Sequence, residues 1–297
     1  MIAQSGRTAP WHQTNWDWRA AGNFVFGGAG TGLIIFSAIG HALGAAYLIP
    51  ALSGLALVGL GLLCVWAEIG RPVRALNVYR HAQTSWMTRE AMVAPFLFGS
   101  GLAALWTGSQ LLGAAAALLA LVYLTCQAQM IRASKGIPAW RNPRIIPLTM
   151  LTGLCEGASI ALLFTAVTAD HGYIKWLEVF LLALILGRGL AWYAYRSGLQ
   201  RDGAPIKALA ALSRMEWPFA MLGNWVPLVL LVVALASKST AVVFWFGVIS
   251  ALGALGSGWL FKVVLITRAA YNQGFALPRL PVRGAGTAGP ATKPGWN

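Results

Sequence analysis

Long apolar runs alternate with short polar breaks along nearly the whole chain. A helix needs roughly 20 apolar residues to cross about 30 Å of hydrocarbon. Eight runs meet that need, at 21–43, 46–67, 91–112, 114–131, 145–169, 174–195, 217–236 and 241–267. Each is continuously apolar, whereas a membrane β-strand would be about 10 residues of alternating character. The pattern predicts an all-α polytopic membrane protein with eight transmembrane helices. Residues 1–20 then form a polar N-terminal segment, 21–268 the membrane domain and 269–297 an extended tail rich in Pro, Gly and Ala. Residues 1–19 have no apolar core, so the first helix is expected to act as its own insertion signal.

Composition narrows the class further. Only 10% of the residues are charged and 58% are hydrophobic, against about one quarter charged in soluble domains. That excludes an ordinary soluble globule, a disordered chain and a nucleic-acid binder with a polar surface. The net charge of +14 comes from 22 basic and 8 acidic residues. Eighteen of the 22 Lys and Arg fall in the two ends and every second loop. Only Lys175 and Lys238 fall on the other side, and Arg188 and Lys262 lie within spans. A missed helix would scramble this split, and basic loops mark the cytoplasmic face. Both termini are therefore expected in the cytoplasm, in a bacterial cytoplasmic (inner) membrane. Basic loops that dock a partner would imitate the same asymmetry.

Several cofactor signatures are missing. An iron–sulfur cluster needs about four clustered thiolates, and Cys64, Cys126 and Cys155 fall in separate spans. No two of His12, His41, His81 and His171 are placed to ligate a haem within the bundle. Gly27, Gly28, Gly30 and Gly32 superficially resemble a nucleotide loop, but they lie inside a span, where small residues let helices approach closely. No metal site is expected in this chain.

Ionisable residues inside spans are costly and raise a functional question by default. Glu156 lies about 18 Å beyond Arg144 and Arg188 about 12 Å before Arg196, both measured from the basic side. They could pair across the fifth and sixth helices, as a proton route or as a structural lock. Lys262 is nearer the basic edge and could snorkel. Glu178 is close to the opposite interface and needs no special role.

The densest polar stretch is EIGRPVRALNVYRHAQTSWMTRE, Glu68 to Glu90, joining the second and third helices. Glu68 ends one helix and Glu90 opens the next, so the two acids could face one another near the membrane surface. A carboxylate among Arg71, Arg74, Arg80 and Arg89 can accept or relay protons. Asn77, His81 and the arginines can hydrogen-bond the carbonyls of a lipid-soluble ligand, and Trp86 can stack on a ring. An interfacial loop held by structural salt bridges is the competing reading.

GRPVRALNVY followed by SWMTRE resembles the loop between helices two and three in the membrane anchors of the dimethyl sulfoxide reductase family. Polysulfide-reductase-type anchors share its general form. The eight-span plan and the lack of haem ligands are similar along the whole chain; at residue level the likeness is concentrated in 69–90, with a weaker echo at 23–32. Such anchors bind quinone or quinol beside an iron–sulfur subunit, which exchanges electrons with a molybdenum catalytic subunit. The resemblance implies ubiquinone or menaquinone chemistry here, with iron–sulfur clusters and molybdenum cofactor in partner chains. The anchor would not itself be catalytic toward the organic or sulfur substrate. The family's quinol-reactive glutamate falls on Glu90, and Arg74 and Asn77 match its pattern. Glu68 stands where the dimethyl sulfoxide reductase anchor has a histidine, a departure that bears on how protons are carried. Within the family, WDWRAAGNFVFGGAGTGL and TRAAYNQGFALPRLPVRG look like the anchors that serve phenylacetyl-CoA oxidation, whose CoA thioester substrate is cytoplasmic. Sulfoxide reductase and sulfite oxidoreductase anchors are the alternatives within the family.

On this reading Glu90 and Glu68 exchange protons with quinone. Arg74, Asn77, His81, Trp86 and Asn23 orient it, and Arg71, Arg80 and Arg89 dock the partner. Electrons enter and leave on one side. A transporter built around Glu156 and Arg188 is the rival of another class, although no internal repeat of the kind common in carriers is visible. A purely mechanical anchor is a second rival.

Overall fold

The computed structural model describes residues 9–68, 78, 79, 82–168 and 171–274. Apart from an isolated bridge between His12 and Tyr271, the described residues form helices and their connections. These are α1 (Trp18–Ala42), α2 (Leu48–Glu68), α3 (Trp86–Thr107), α4 (Gln110–Ala133), the short α5 (Pro138–Arg141), α6 (Ile145–Thr168), α7 (His171–Arg201), α8 (Ile206–Trp217), α9 (Val226–Ala236) and α10 (Thr240–Thr267). A π-helical segment, Pro218–Trp225, joins α8 to α9. Seven helices are long and apolar enough to cross a membrane; α8, the π segment and α9 count as one of 31 residues. Helix α7 is also 31 residues long.

Polar side chains set the helix starts. Asp17 caps α1 by accepting from the Arg19 amide at 2.8 Å. Ser85 caps α3 by accepting from Thr88, and Ser109 caps α4 by accepting from Leu112. The Ser85 cap starts α3 five residues earlier than the expected 91. The apolar run had marked where polarity ends, not where the helix begins. For the same reason α4 outgrows the expected 114–131. The expected seventh span, 217–236, is the inner part of a helix that begins at Ile206. At 1.5 Å per residue that helix is about 46 Å long, longer than the roughly 30 Å of hydrocarbon that a span must cross. Arg196 of α7 bonds the Leu209 carbonyl and pairs with Glu216, tying α7 to α8 as a hairpin.

Helix α1 is the most buried of the candidate spans. It packs against α2, α4, α6 and α10. Glycine makes this possible. A Cβ on Gly30 would lie 2.6 Å from the Gly54 carbonyl of α2. The glycine string thus serves close packing, as its position inside a span implied. Helices α2 to α4 gather on one side of α1, and α6, α7, α9 and α10 on the other.

The two ends of the described chain meet at the basic end of the bundle. Gln13 donates to the Ala270 carbonyl, Asn272 donates to that of Trp11, and the Trp11 amide donates to the Asn272 side chain. Residues 271–274 are therefore held against the N-terminal segment; residues 275–297 lie outside the described residues. Asp17 also pairs with Arg19 at 2.9 Å. Those hydrogen bonds hold its carboxyl below the ordinary value of 3.8. The stabilisation is full above that value and fades as pH falls through the lowered one. Asp17→Ala should cost about 1 kcal/mol, read from thermal unfolding of the extracted protein, with a smaller difference from wild type in acid.

Candidate functional site

Glu90 sits one turn inside α3 and is 3% exposed. Its Oε1 accepts from Gln127 Nε2 at 3.2 Å and from Asn23 Nδ2 at 3.5 Å. Gln127 also donates to the Asn23 carbonyl at 3.1 Å. These groups come from α3, α4 and α1. Gly27 lets them meet, since a Cβ there would strike the Gln127 amide. Tyr123 lies close to the carboxyl without meeting it in hydrogen-bond geometry. Its hydroxyl and Asn23 Oδ1 are buried without partners among the described residues. Buried polar atoms are rarely left so, and here two stand beside one carboxyl.

Glu90 also lines a cavity of about 140 Å³ between α2 and α3, walled by Leu62, Val65, Trp66, Val78, Met87 and Ala91. Leu62 and Trp66 also line a shallow apolar groove on the outer face of α2. The cavity therefore adjoins a surface suited to lipid.

A second polar centre lies deeper. Glu156 of α6 pairs with Lys262 of α10 at 2.5 Å, and both are buried. Gly28 gives the lysine room and Gly258 faces the carboxylate. Arg188, 0% exposed, is bound by the π segment and α10. It donates to the Ala254 carbonyl at 2.9 Å, to Asn224 Oδ1 at 3.3 Å, and to the Gly223 carbonyl. The expected Glu156–Arg188 pair is thus corrected. Lys262 does not snorkel but takes the carboxylate, and the wide π turn supplies carbonyls that satisfy the guanidinium instead.

Other expectations also change. Glu68 does not face Glu90; it lies beside Arg19 and Asp17 at the end of the bundle. The earlier start of α3 draws Glu90 inward, while Glu68 stays at the rim. Trp86 lines a different cleft, and Met87 takes the place beside the Glu90 cavity. Arg89 lies 4.1 Å over the Trp86 ring and donates to the Ala82 and Gln83 carbonyls. Its guanidinium ties the loop before α3 to the start of that helix. Glu178 is fully buried within the bundle, and both its oxygens lack partners among the described residues. Arg71, Arg74, Asn77, Arg80 and His81 lie outside the described residues.

Sequence reasoning brought Glu90 and Asn23 forward and missed Gln127 and Tyr123. Gln127 did carry a signal, as an amide within an apolar run. Tyr123 did not, because a tyrosine in a membrane helix is unremarkable until its neighbours are known.

The cleft lined by Trp86 has a volume of about 790 Å³ and includes Arg132, Lys135, Arg141, Asn142 and Asp202. Trp86 and Glu90 are four residues apart on α3, about 6 Å along its axis. The basic cleft and the buried carboxylate are thus reached from neighbouring turns of α3. No protein-family model and no curated protein matches the chain.

Proposed function

We propose that this chain is a membrane-anchor, quinone-reactive subunit of a molybdenum/iron–sulfur oxidoreductase complex. The observation that carries the reading is Glu90, a buried carboxylate with unpartnered polar neighbours at the wall of an apolar cavity beside a lipid-facing groove. Cavities of about 150 Å³ admit a single six-membered ring. The ring of a quinone would sit against Glu90, with its isoprenoid chain along the α2 groove. Asn23 Oδ1 and the Tyr123 hydroxyl, which lies close to the Glu90 carboxyl, have no hydrogen-bond partner in good geometry among the described residues. Glu90 would exchange the proton that accompanies quinone reduction or quinol oxidation.

The basic cleft near the site suits an acidic edge of the iron–sulfur partner. Electrons would then pass from that partner's cluster to a quinone held close to it. Helix α7 would be the eighth span, and both ends of the chain would face the cytoplasm of a bacterial inner membrane. The molybdenum subunit would act on a cytoplasmic substrate, with phenylacetyl-CoA the specific case that the sequence likeness favours.

Glu90→Gln tests the site in the assembled complex. Removing a general acid–base group typically costs about 10²- to 10⁴-fold in rate. Quinone-dependent turnover should fall by about 100-fold or more, while electron transfer to an artificial dye and co-purification of the partners persist. Survival of quinone turnover would remove Glu90 from the chemistry. Recovery of the chain without iron, molybdenum or partners, under conditions that preserve the complexes of the membrane, would overturn the anchor reading itself.

A further inference from the structure

We propose that the groove between α8 and the end of α10 is a binding site for an anionic phospholipid. The cavity measures about 460 Å³. Lys207 and Arg214 of α8 and Arg268 just after α10 line it, together with Tyr271. All three cations are exposed, and none makes an ion pair among the described residues. Further in, the wall is apolar, with Met215 and Leu260 among its side chains. Trp217, which precedes the groove residue Pro218 in the chain, is 66% exposed, as interfacial tryptophans are.

These features lie in a definite order along the membrane normal. Lys207 and Arg214 sit toward the N-terminal end of the 31-residue helix and Arg268 just past the end of α10, and the apolar wall follows toward the bilayer. A phosphate diester at headgroup level and an acyl chain below it satisfy both halves at once. Basic pockets between membrane helices recruit anionic lipids in this way, each Lys or Arg adding attraction. A free anion would use the cations and leave the apolar wall wet. The chain's own outlying segments do not suit the groove. Residues 275–297 carry Arg279, Arg283 and Lys293 with no Asp or Glu, and residues 1–8 carry Arg7 alone. Like charge keeps both from neutralising it. The site is independent of the quinone reading, because α8 and α10 do not line the Glu90 cavity.

The test is native mass spectrometry of the full chain in mild detergent, with phosphatidylglycerol or phosphatidylcholine added. Wild type should retain phosphatidylglycerol well above phosphatidylcholine. The triple variant Lys207→Gln, Arg214→Gln, Arg268→Gln should lose that retention by at least about tenfold. A second variant, Lys135→Gln with Arg141→Gln, removes charge from the other basic cleft and should keep it. Equal retention of the two lipids by wild type, or undiminished selectivity in the triple variant, would overturn the proposal. So would an equal loss in the Lys135/Arg141 control, which would reduce the effect to net charge. Displacement of the lipid by millimolar inorganic phosphate would make the ligand a free anion instead.

Discussion

Gly157→Val should abolish the assembled membrane domain. Gly157 of α6 lies against Gly32 of α1, and a Cβ on it would fall on the Gly32 and Leu33 backbone. A side chain in the way can change rotamer; a helix backbone cannot. The two helices would have to separate along a seam that includes the Glu156–Lys262 pair. Overpacking a core against movable side chains costs roughly 1–3 kcal/mol, and a collision with backbone at the central helix should exceed that. The measurement is recovery of monodisperse protein after mild extraction. Gly256→Ala in α10 is the control, because a Cβ there meets nothing within 4 Å. If Gly157→Val extracts and melts like wild type, the α1–α6 contact is not as close as described.

Glu156→Gln should be more damaging than Lys262→Met, although each breaks the same ion pair. The difference follows from Arg188. Its guanidinium stays charged and is held by carbonyls and an amide, with no carboxylate partner among the described residues. The cluster therefore contains two cations and one anion. Removing Lys262 leaves one of each. Removing Glu156 leaves two buried cations with nothing to balance them. Breaking a buried pair by removing one partner typically costs about 3–5 kcal/mol, and Glu156→Gln should lie at the upper end. Thermal unfolding in detergent gives the order directly. The double variant should recover part of the loss, as uncoupled neighbours would not. Equal melting points for the two single variants would mean that Arg188 does not share the charge balance of the pair.

The apolar runs made the membrane helices legible, since nothing but continuous hydrophobicity is needed to recognise a span. Helix starts were less legible, because Ser85 and Ser109 act through hydrogen bonds one turn ahead rather than through polarity at their own positions. That difference moved Glu90 from the membrane surface to the interior. Pairing within the bundle was least legible. The depths of Glu156 and Arg188 along their helices matched well enough to suggest a contact. Depth alone does not tell which way each side chain turns, and Lys262, on a helix more than 100 residues away, took the carboxylate. The π segment gave no advance sign, and it is this widened turn that satisfies Arg188 without an acid. Gln127 is legible as an amide in an apolar run, but its role shows only once Glu90 and Asn23 stand beside it.

The central position of α1 also has a consequence for biosynthesis. The helix that ends most enclosed precedes α4, α6 and α10 in the chain, so it meets lipid before they exist. Its glycine faces offer little for acyl chains to grip, and Asn23 must wait for Gln127 and Glu90. Only α2 follows at once, seated on Gly30 through Gly54. Cover of α1 therefore arrives in stages, with α4, then α6, and then α10, which brings Lys262 to Glu156. Closure of the bundle thus waits for α10, so a ribosome that stalls before it leaves a carboxylate in the membrane without its lysine.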